Sequence, residues 1–327
     1  MDNILVTGGA GYIGSHTCKA LKKAGYRPVV LDNLTNGHSW AVKWGPIEVG
    51  DLCNKAFINN VMERYKPKAV IHFAGLIEVG ESVTDPGSYY KANVTGSINL
   101  LLAMVEHKVD KIIFSSTAAV YGIPVLSEPV KEDCAKSPVN PYGNTKLMVE
   151  NIIADFSKAY GLGYVLLRYF NAAGADPDGE LGESHEPESH LIPRLLQAAY
   201  GSLASATING DDYATPDGSC VRDYIHVTDL ASAHVLALAK LNNKLCSEVY
   251  NLGYGRGYSV KEVLAAVNRI TEVNMQVTIG PRRDGDPPTL VADSAKATTL
   301  LGWSPKHDSL DEIVATAWGW FLQQQKG

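Results

Sequence analysis

Short apolar runs rich in β-branched residues alternate with longer segments of helical period through the first half of the chain. This alternation is typical of parallel strands joined by crossover helices, because parallel neighbours need a long connection between them. The strand candidates are residues 4–7, 28–32, 69–73, 111–116 and 164–169. The pattern therefore predicts a doubly wound α/β fold built on one parallel sheet.

Two helices of this half can be placed from residue spacing. One has an apolar stripe that we expect to face the sheet, made of Tyr90, Val94, Ile98, Leu101, Leu102 and Val105. The other begins at Pro141, where a missing N–H costs nothing, with Asn140 as its N-cap. Its predicted buried face is Ile152, Ile153 and Phe156.

Charge and cysteine usage exclude several classes of protein. The 29 basic and 35 acidic residues give a net charge of -6, and no basic block is present that could follow a phosphate backbone. The start has no signal-peptide pattern, and apolar stretches such as 69–77 are shorter than the ~20 residues of a membrane span. The five cysteines are scattered without a CxxC pair, which predicts reduced thiols and a cytoplasmic protein.

Histidine spacing gives no sign of a metal site. His185 and His190 are the closest pair in the sequence, and they lack the HExxH spacing of a zinc helix. We therefore expect no metal.

A glycine-rich segment follows the first strand directly. Gly8, Gly11 and Gly14 are spaced i, i+3, i+6 at a helix start, where bare backbone can approach a pyrophosphate. Asp32 ends the second strand, 18 residues beyond Gly14, where its carboxylate can accept from ribose hydroxyls. It would repel a 2′-phosphate, and no Lys or Arg lies between it and His38, so NAD is favoured over NADP. The alternative is a set of turn glycines with Asp32 capping a loop.

Further residues of this half admit two interpretations. Asp51 either reaches the adenine or is a plain turn residue, and Asn93 either bridges neighbouring backbone or is a tolerated polar residue. Phe73, Ala74 and Gly75 follow a strand where cofactor and chain must approach closely.

We expect an NAD-binding Rossmann domain over residues 1–170 and a smaller α/β substrate domain over 171–327, with the chain re-entering the first around 221–252.

The second half has Gly, Pro and Asp concentrated at 171–187 and 211–218, which predicts loops over a ligand. Helices are expected near 191–200, 228–241, 259–271 and 309–325, and strands near 206–209, 248–252 and 276–279.

Tyr142 and Lys146 form a YxxxK spacing, which places phenol and ammonium one helical turn apart. Free tyrosine, with a pKa of about 10, is a poor base at neutral pH. A cation at about 5 Å is worth roughly 3 kcal/mol, or about two pKa units, and a nicotinamide charge would add to this. The Thr117 hydroxyl, at a strand end, can bond both the reacting oxygen and Tyr142. The alternative is a solvated surface pair.

Over essentially its whole length, the chain resembles the extended short-chain dehydrogenase/reductase family and, within it, the UDP-glucose 4-epimerases. The resemblance is carried by TGGAGYIGSH (7–16), HFAGLIEVGESV (72–83), FSSTAAVYG (114–122), NPYGNTKLMVE (140–150), LRYFNAAGA (167–175), VRDYIHVTDL (221–230) and PRRDGD (281–286). It implies tightly held NAD, Tyr142 as the base, Lys146 lowering its pKa and holding the nicotinamide ribose, and Thr117 orienting the sugar hydroxyl.

The resemblance also implies two sets of binding residues. The cofactor pocket would be lined by Tyr12, Ile13, Asp32, Asn33, Asn36, Asp51, Leu52, Phe73, Ala74, Asn93 and Ser115, with Tyr169 at the nicotinamide. The nucleotide sugar would contact Asn171, His190, Leu191, Arg222, Arg283 and Asp286. Independently of the resemblance, the guanidinium groups of Arg222 and Arg283 suit a diphosphate. Each Arg could instead form a salt bridge.

The implied reaction interconverts UDP-glucose and UDP-galactose by transient oxidation at sugar C4 and hydride return to the opposite face. Leu290 stands where larger Tyr also occurs in this family, so N-acetylated sugars are expected to fit. A dehydratase needs an acid after Thr117, where Ala118 and Ala119 stand here. Epimerisation of UDP-xylose/arabinose or UDP-glucuronate/galacturonate, and a non-catalytic NAD-binding sensor, stay open. The resemblance further implies a homodimer through the helices bearing Asn93 and Tyr142.

Overall fold

The structure is a computed structural model that describes residues 1–124, 129–283 and 285–326. Position 284, in the 281–286 motif, lies outside the described residues. The strands are β1 (Asn3–Thr7), β2 (Arg27–Asp32), β3 (Ile47–Val49), β4 (Ala69–His72), β5 (Lys111–Thr117), β6 (Gly163–Tyr169), β7 (Asn171–Ala173), β8 (Ala206–Asn209), β9 (Val221–Arg222), β10 (Tyr224–His226), β11 (Ser247–Leu252), β12 (Tyr258–Ser259), β13 (Val277–Gly280) and β14 (Thr289–Leu290).

The centre of the molecule is a parallel sheet with the strand order β11-β6-β5-β4-β1-β2-β3. The chain runs outward from β1 in one direction through β2 and β3, and in the other through β4, β5 and β6. A crevice therefore opens between the carboxyl ends of β1 and β4, the usual ligand position in such sheets. The predicted doubly wound sheet and its five strands are confirmed.

The helices are α1 (Tyr12–Lys23), α2 (Lys55–Tyr65), α3 (Val79–Thr84), α4 (Pro86–Tyr89), α5 (Gly96–Glu106), α6 (Pro141–Tyr160), α7 (Leu191–Tyr200), α8 (Val227–Asn243), α9 (Val260–Thr271) and α10 (Leu310–Gln324). On one face of the sheet, Leu21 of α1 and Leu238 of α8 pack against strand residues such as Ile4. On the other face, the core includes Ile58 of α2 and Leu100 of α5. Helices cover both faces of the sheet, which explains why the strand sequences are continuous apolar runs.

The predicted apolar stripe of residues 90–105 is confirmed only in part. Leu101 is fully buried and Val94 packs partly buried against the core, whereas Tyr90 is 37% exposed. A π-helical turn at Tyr90–Thr95 leads into α5, and the buried positions of the two elements include Asn93, Ser97 and Leu100, whereas Leu102 is 36% exposed. The buried face contains polar side chains that find partners inside the protein. Ser97 Oγ, for example, hydrogen-bonds His72 Nε2 at 2.8 Å. An apolar pattern alone could not identify that face.

The start of α6 agrees with the prediction. Asn140 Oδ1 accepts from the Gly143 N–H at 2.8 Å, and Pro141 is the first helical residue. Ile153 is fully buried, while Ile152 and Phe156 are partly buried against the same core.

The second half supplies one strand to the large sheet and several elements beside it. β11 pairs with β6, and α8 lies against α1. The smaller ladders are β10 with β7, β12-β9-β14, and β13 with β8. α7, α9 and α10 share a separate core that includes Leu195, Val263 and Ile313. The predicted helices and strands of this half are confirmed to within two residues at each end.

Two further observations concern the whole chain. All five cysteines are free thiols. Among the residues that the structure describes, none of the helices has both the length and the apolar character needed to cross a membrane.

Candidate active site

The glycine loop lies between β1 and α1, and its glycines let backbone segments pack closely against one another. Gly8 has φ +72°, and a Cβ there would lie 2.6 Å from the Ala74 nitrogen. A Cβ at Gly14 would overlap the Gly8 carbonyl oxygen. Gly11 is the N-cap of α1, so no side chain caps the N–H groups of the first turn. These N–H groups, which include those of Tyr12 and Ile13, and the positive helix end fit a pyrophosphate, so the loop is suited to a dinucleotide.

Asp32 holds this loop in position. Its Oδ2 accepts from the Ala10 N–H and its Oδ1 from the Leu34 N–H, each at 2.9 Å. The loop-capping interpretation of Asp32 is therefore realised. A carboxylate oxygen can accept more than one hydrogen bond, so ribose hydroxyls are still compatible with this arrangement.

Asp51, which was predicted either to reach the adenine or to be a turn residue, lies beside other residues predicted for the cofactor pocket. Asn33 Nδ2 donates to Asp51 Oδ2 at 3.0 Å, and Asp51 Oδ1 accepts from the Cys53 N–H at 2.7 Å. That backbone hydrogen bond is the main cause that lowers the pKa of Asp51. Leu52 beside it is buried, while Asn36 is exposed.

Asn93 bridges backbone, one of the two interpretations considered for it. Its Oδ1 accepts from the Leu76 N–H at 2.7 Å, and its Nδ2 donates to the Leu76 carbonyl and to Thr145 Oγ1 at 3.1 and 3.0 Å. A Cβ at Gly75 would lie 2.8 Å from Asn93 Oδ1. Asn93 thus shapes the loop after β4, where the N–H groups of Phe73 and Ala74 both donate to the Thr7 carbonyl.

The catalytic candidates lie together at the carboxyl end of β5. Thr117 is the last residue of β5, Tyr142 lies in the first turn of α6, and Lys146 follows one turn later. Lys146 Nζ donates to the Ser115 carbonyl at 2.9 Å and lies 6.0 Å from the centre of the Tyr142 ring. The predicted stacking of phenol and ammonium along one helix is present.

Burial dominates the titration of this pair. Burial raises the pKa of Tyr142 to about 12. The hydrogen bond with the Thr117 hydroxyl acts in the opposite direction, because it favours the phenolate. Burial also lowers the pKa of Lys146 to about 8. The sequence-based prediction of a lowered pKa counted the nicotinamide charge together with Lys146. The protein groups alone do not lower the pKa of Tyr142, because desolvation of the phenolate outweighs the favourable interactions around it.

A second hydroxyl pair lies beside these residues. Ser115 Oγ hydrogen-bonds the Tyr169 hydroxyl, and burial raises the pKa of Tyr169. The rings of Phe73 and Tyr169 both approach His234, with centres 4.7 and 6.2 Å away. Ser115, Phe73 and Tyr169, all predicted to contact the cofactor, are therefore neighbours in the fold.

Sequence reasoning missed three charged residues around the site. Arg168 and Glu150 form a buried bidentate pair, with Nε–Oε1 and Nη2–Oε2 distances of 2.8 and 2.6 Å. Glu150 lies four residues after Lys146 on α6, a spacing that could have pointed to it. The charge of Glu78 contributes to the raised pKa of Tyr142, and its Oε2 accepts from Ser189 Oγ at 2.7 Å.

The predicted nucleotide-sugar residues fall into two groups. Arg222 Nη2 donates to Asp286 Oδ1 at 2.5 Å, and Leu290 is paired with Arg222 in the β14–β9 ladder. The salt-bridge interpretation of Arg222 is thus realised. Arg283 is exposed, and its Nε lies 3.0 Å from the Asn209 side-chain oxygen when that amide is oriented to accept. Asn171 begins β7, where its N–H donates to the Asp223 carbonyl.

His190 and Leu191 lie at the start of α7. His190 Nδ1 is 2.9 Å from Glu183 Oε1 and 3.2 Å from Glu188 Oε1. Burial alone would lower the pKa of His190, but the two carboxylates outweigh it and raise that pKa to about 11. One ring nitrogen of His190 is thus engaged by carboxylates rather than facing open solvent.

Comparison with known proteins identifies the family. Residues 4–253 match the model of the NAD dependent epimerase/dehydratase family. The chain belongs to this family. A UDP-glucose 4-epimerase of Halalkalibacterium halodurans is 51% identical over 324 residues, which are 99% of this chain and 97% of the relative.

Two solved epimerase structures are similar over nearly the full chain. The UDP-glucose 4-epimerase of Brucella ovis, solved in complex with NAD, superposes with a TM-score of 0.94 at 52% identity, covering 97% of this chain and 98% of that one. The UDP-Glc/GlcNAc 4-epimerase of Campylobacter jejuni superposes with a TM-score of 0.86 at 41% identity, covering 99% and 100%. NAD is the cofactor of this epimerase family member.

Gly14→Ala tests the cradle for the cofactor pyrophosphate. Because the added Cβ would overlap the Gly8 carbonyl, the loop must shift, and we expect NAD retained after purification to fall by at least about tenfold. Quantifying NAD released from denatured protein measures it. Gly319→Ala in α10 is the control, since its Cβ would meet nothing within 4 Å. Equal NAD content in the two variants would contradict the assignment.

Proposed function

We propose that this chain interconverts UDP-glucose and UDP-galactose with bound NAD, by transient oxidation at sugar C4 and hydride return to the opposite face. The observation that carries the proposal is the convergence of Thr117, Tyr142 and Lys146 at the carboxyl end of β5. Because β5, β4 and β1 are adjacent strands, these side chains lie at the same sheet edge as the glycine loop. The full-length 4-epimerase relatives support the same reaction.

NAD, when bound, supplies the acceptor for the C4 hydride and the donor that returns it. Tyr142 takes the proton of the C4 hydroxyl and later gives it back. Thr117 orients that hydroxyl by hydrogen bonding. Lys146, whose pKa of about 8 leaves it mainly protonated at pH 7, favours the phenolate while the Ser115 carbonyl holds its ammonium group.

The nucleotide part of the substrate would lie near the Arg222–Asp286 pair. Arg222 has one guanidinium nitrogen on Asp286 and another on the Val221 carbonyl at 2.7 Å. We propose that a diphosphate draws on Arg222 and on exposed Arg283, while Asp286 accepts from the uridine ribose. Asn171, His190 and Leu191 complete this proposed binding set.

A turnover assay with UDP-galactose and no added NAD tests the proposal. An epimerase that retains its cofactor produces UDP-glucose without net NADH formation, because the hydride returns to the sugar. A non-catalytic NAD-binding sensor forms no product, and an ordinary dehydrogenase accumulates NADH once NAD is supplied. The absence of product, or a net accumulation of NADH, would overturn the proposal. A panel with UDP-xylose and UDP-glucuronate tests the other sugar epimerases, whose C4 chemistry is the same.

Leu290→Tyr tests whether side-chain size at this position selects the sugar. The larger ring is expected to lower turnover of UDP-N-acetylgalactosamine by at least roughly tenfold relative to UDP-galactose, since the extra acetyl group loses its space. Initial rates on both substrates measure the ratio. Leu300→Tyr, at a side chain that is 56% exposed, is the control. An unchanged ratio in Leu290→Tyr would remove this residue as the gate.

Three further proposals concern organisation. We propose a homodimer through α5 with its π turn and α6, where Tyr90, Leu102 and Met148 supply exposed apolar surface. The division into an NAD-binding domain over 1–170 and a substrate domain over 171–327, with return of the chain at 221–252, is proposed from the sequence pattern. The cytoplasmic location stays a prediction from cysteine usage.

A further inference from the structure

We propose that Glu183, His185, Glu188 and His190 bind one divalent cation of the zinc type. The four side chains lie in the loop before α7 and at its N-cap, and each offers one ligand atom, all within 4.8 Å of one another. The proposal goes beyond the epimerase reaction and does not rest on it. It shares His190 with the proposed nucleotide-sugar set, and a metal on Nδ1 would leave Nε2 for the substrate.

Four separations between possible ligand atoms lie within about 0.5 Å of those in a tetrahedral zinc site. Zinc binds imidazole nitrogen and carboxylate oxygen at about 2.0–2.2 Å, which places neighbouring ligand atoms of a tetrahedron roughly 3.3–3.6 Å apart. Glu183 Oε1 lies 3.3 Å from His185 Nδ1 and 2.9 Å from His190 Nδ1. Glu188 lies 3.8 Å from His185 Nδ1 through Oε2 and 3.2 Å from His190 Nδ1 through Oε1. Small side-chain adjustments bring these atoms onto one cation.

His185 provides a second, independent observation. Its Nδ1 is buried and faces Glu183 Oε1 at 3.3 Å as an ion pair, but it forms no well-aligned hydrogen bond to any residue that the structure describes. The carboxylates it faces are largely withdrawn from water, with the side chains of Glu183 and Glu188 only 9% and 5% exposed. A buried imidazole nitrogen without a hydrogen bond is costly, and a metal bond would satisfy it.

Charge and donor type favour a transition-metal cation. On metal binding, the two imidazoles would release to solvent the protons that they share with the carboxylates. Two carboxylates and two neutral imidazoles then carry a charge of about -2, which a divalent cation neutralises. Imidazole ligands suit zinc and its neighbours, whereas magnesium and calcium prefer oxygen ligands alone. The Glu188 carboxylate is also oriented, because its Oε1 accepts the N–H groups of Ser189 and His190, each at 2.8 Å.

A second acidic cluster shows what distinguishes this site. Asp176, Asp178 and Glu180 also bring their carboxylates together, but Lys19 Nζ lies 2.6, 2.8 and 2.7 Å from the three. An ammonium group already neutralises that cluster, so we assign no metal to it. The carboxylates of Glu183 and Glu188 instead pair with His185 and His190, and a metal can replace the protons of these imidazoles.

The cation would fasten a loop that reaches the active site. Within this loop, Ser189 bonds Glu78, and the Glu183 carbonyl accepts from Trp320 Nε1 at 3.0 Å. His185 and Glu188 also line a cavity beneath α7 and α10, which gives a metal a route of entry. A metal bond to His190 would anchor the start of α7, next to Leu191.

Zinc and cobalt binding to the full-length protein tests the proposal. After treatment with a chelator and dialysis, the wild type is expected to bind one Zn²⁺ per chain, measured by elemental analysis after gel filtration. X-ray absorption at the zinc edge should show only nitrogen and oxygen neighbours at about 2.0–2.1 Å. The cobalt-loaded protein should show the visible bands of tetrahedral Co²⁺ without thiolate charge transfer. Sulfur neighbours would place the metal on a cysteine and overturn the assignment.

Two variants and a control locate the site. His185→Gln and Glu188→Gln are each expected to weaken zinc binding by at least tenfold, whereas His307→Gln, which removes a histidine that forms an ion pair with Glu312 away from this cluster, should not. If either site variant fails to fold, an anomalous difference map of zinc-soaked wild-type crystals decides by the position of its peak. Wild-type zinc content in His185→Gln, no stoichiometric binding, or a peak elsewhere would each show that the cluster is only an ion-pair network.

Discussion

Tyr142→Phe is expected to lower kcat for UDP-galactose by about 100- to 10,000-fold, the usual contribution of a positioned acid–base group. Phenylalanine keeps the ring that packs 6.0 Å from Lys146 Nζ but removes the oxygen that exchanges the proton. The loss should therefore appear in kcat, with little change in folding. Steady-state kinetics together with a thermal melt separate the two effects.

The same helix provides a matched control. Tyr160 ends α6 and is 55% exposed, so Tyr160→Phe removes a hydroxyl from the same element without touching the site. Its kcat should equal that of the wild type. A loss of less than tenfold in Tyr142→Phe would show that another group accepts the C4 proton.

Arg168→Met is expected to destabilise the fold by about 3–5 kcal/mol, because it leaves the Glu150 carboxylate buried without its cation. The two side chains are 3% and 4% exposed, and Arg168 also donates to the Tyr121 hydroxyl at 2.8 Å and to the Glu132 carbonyl at 3.1 Å. Denaturant unfolding followed by circular dichroism measures the change in the free energy of unfolding.

The double variant Glu150→Gln/Arg168→Met identifies the cause. Neutralising the carboxylate removes the unpaired charge, so the double variant should be more stable than the sum of the single losses by about 2 kcal/mol. Arg64→Met is the control and should change stability little, because the Arg64 side chain that pairs with Glu48 is 64% exposed. If Arg168→Met behaved like Arg64→Met, the buried pair would not stabilise the fold.

This pair also matters for the position of the catalytic side chains. Glu150 lies on α6, one turn beyond Lys146, and Arg168 lies on β6 next to the strand that ends in Thr117. Ser116 Oγ, on β5, donates to Glu150 Oε1 at 2.5 Å. The network therefore joins the helix that carries Tyr142 to the two strands beneath it.

Features that depend on neighbours along the chain were predictable. The glycine spacing and the Tyr142–Lys146 spacing each lie within one element or one strand–loop–helix unit. The alternation of strands and helices is a succession of such units. The Asn140 cap is equally local, since its side chain bonds a backbone N–H three residues later. In such cases the backbone geometry of a single element relates residue spacing to distance.

The helical stripe shows where local pattern fails. Leu102 is as apolar as Leu100, so hydropathy could not choose between two faces of α5. The buried face was chosen by Ser97, which bonds His72, and by Asn93, which bonds the Leu76 backbone. Those partners come from other elements, and only the assembled structure brings them near.

By itself, the sequence determined the doubly wound sheet and the place of the glycine loop after β1, because both follow from spacing along the backbone. The same kind of spacing led to the proposal of Tyr142 and Lys146 as the catalytic pair. Only the tertiary structure decided that Arg222 faces Asp286, that Glu150 holds Arg168 and that two histidines meet two glutamates. It also showed that burial raises the pKa of Tyr142 when the protein groups act alone. Burial and the meeting of distant side chains depend on how every element packs, and residue spacing does not encode that.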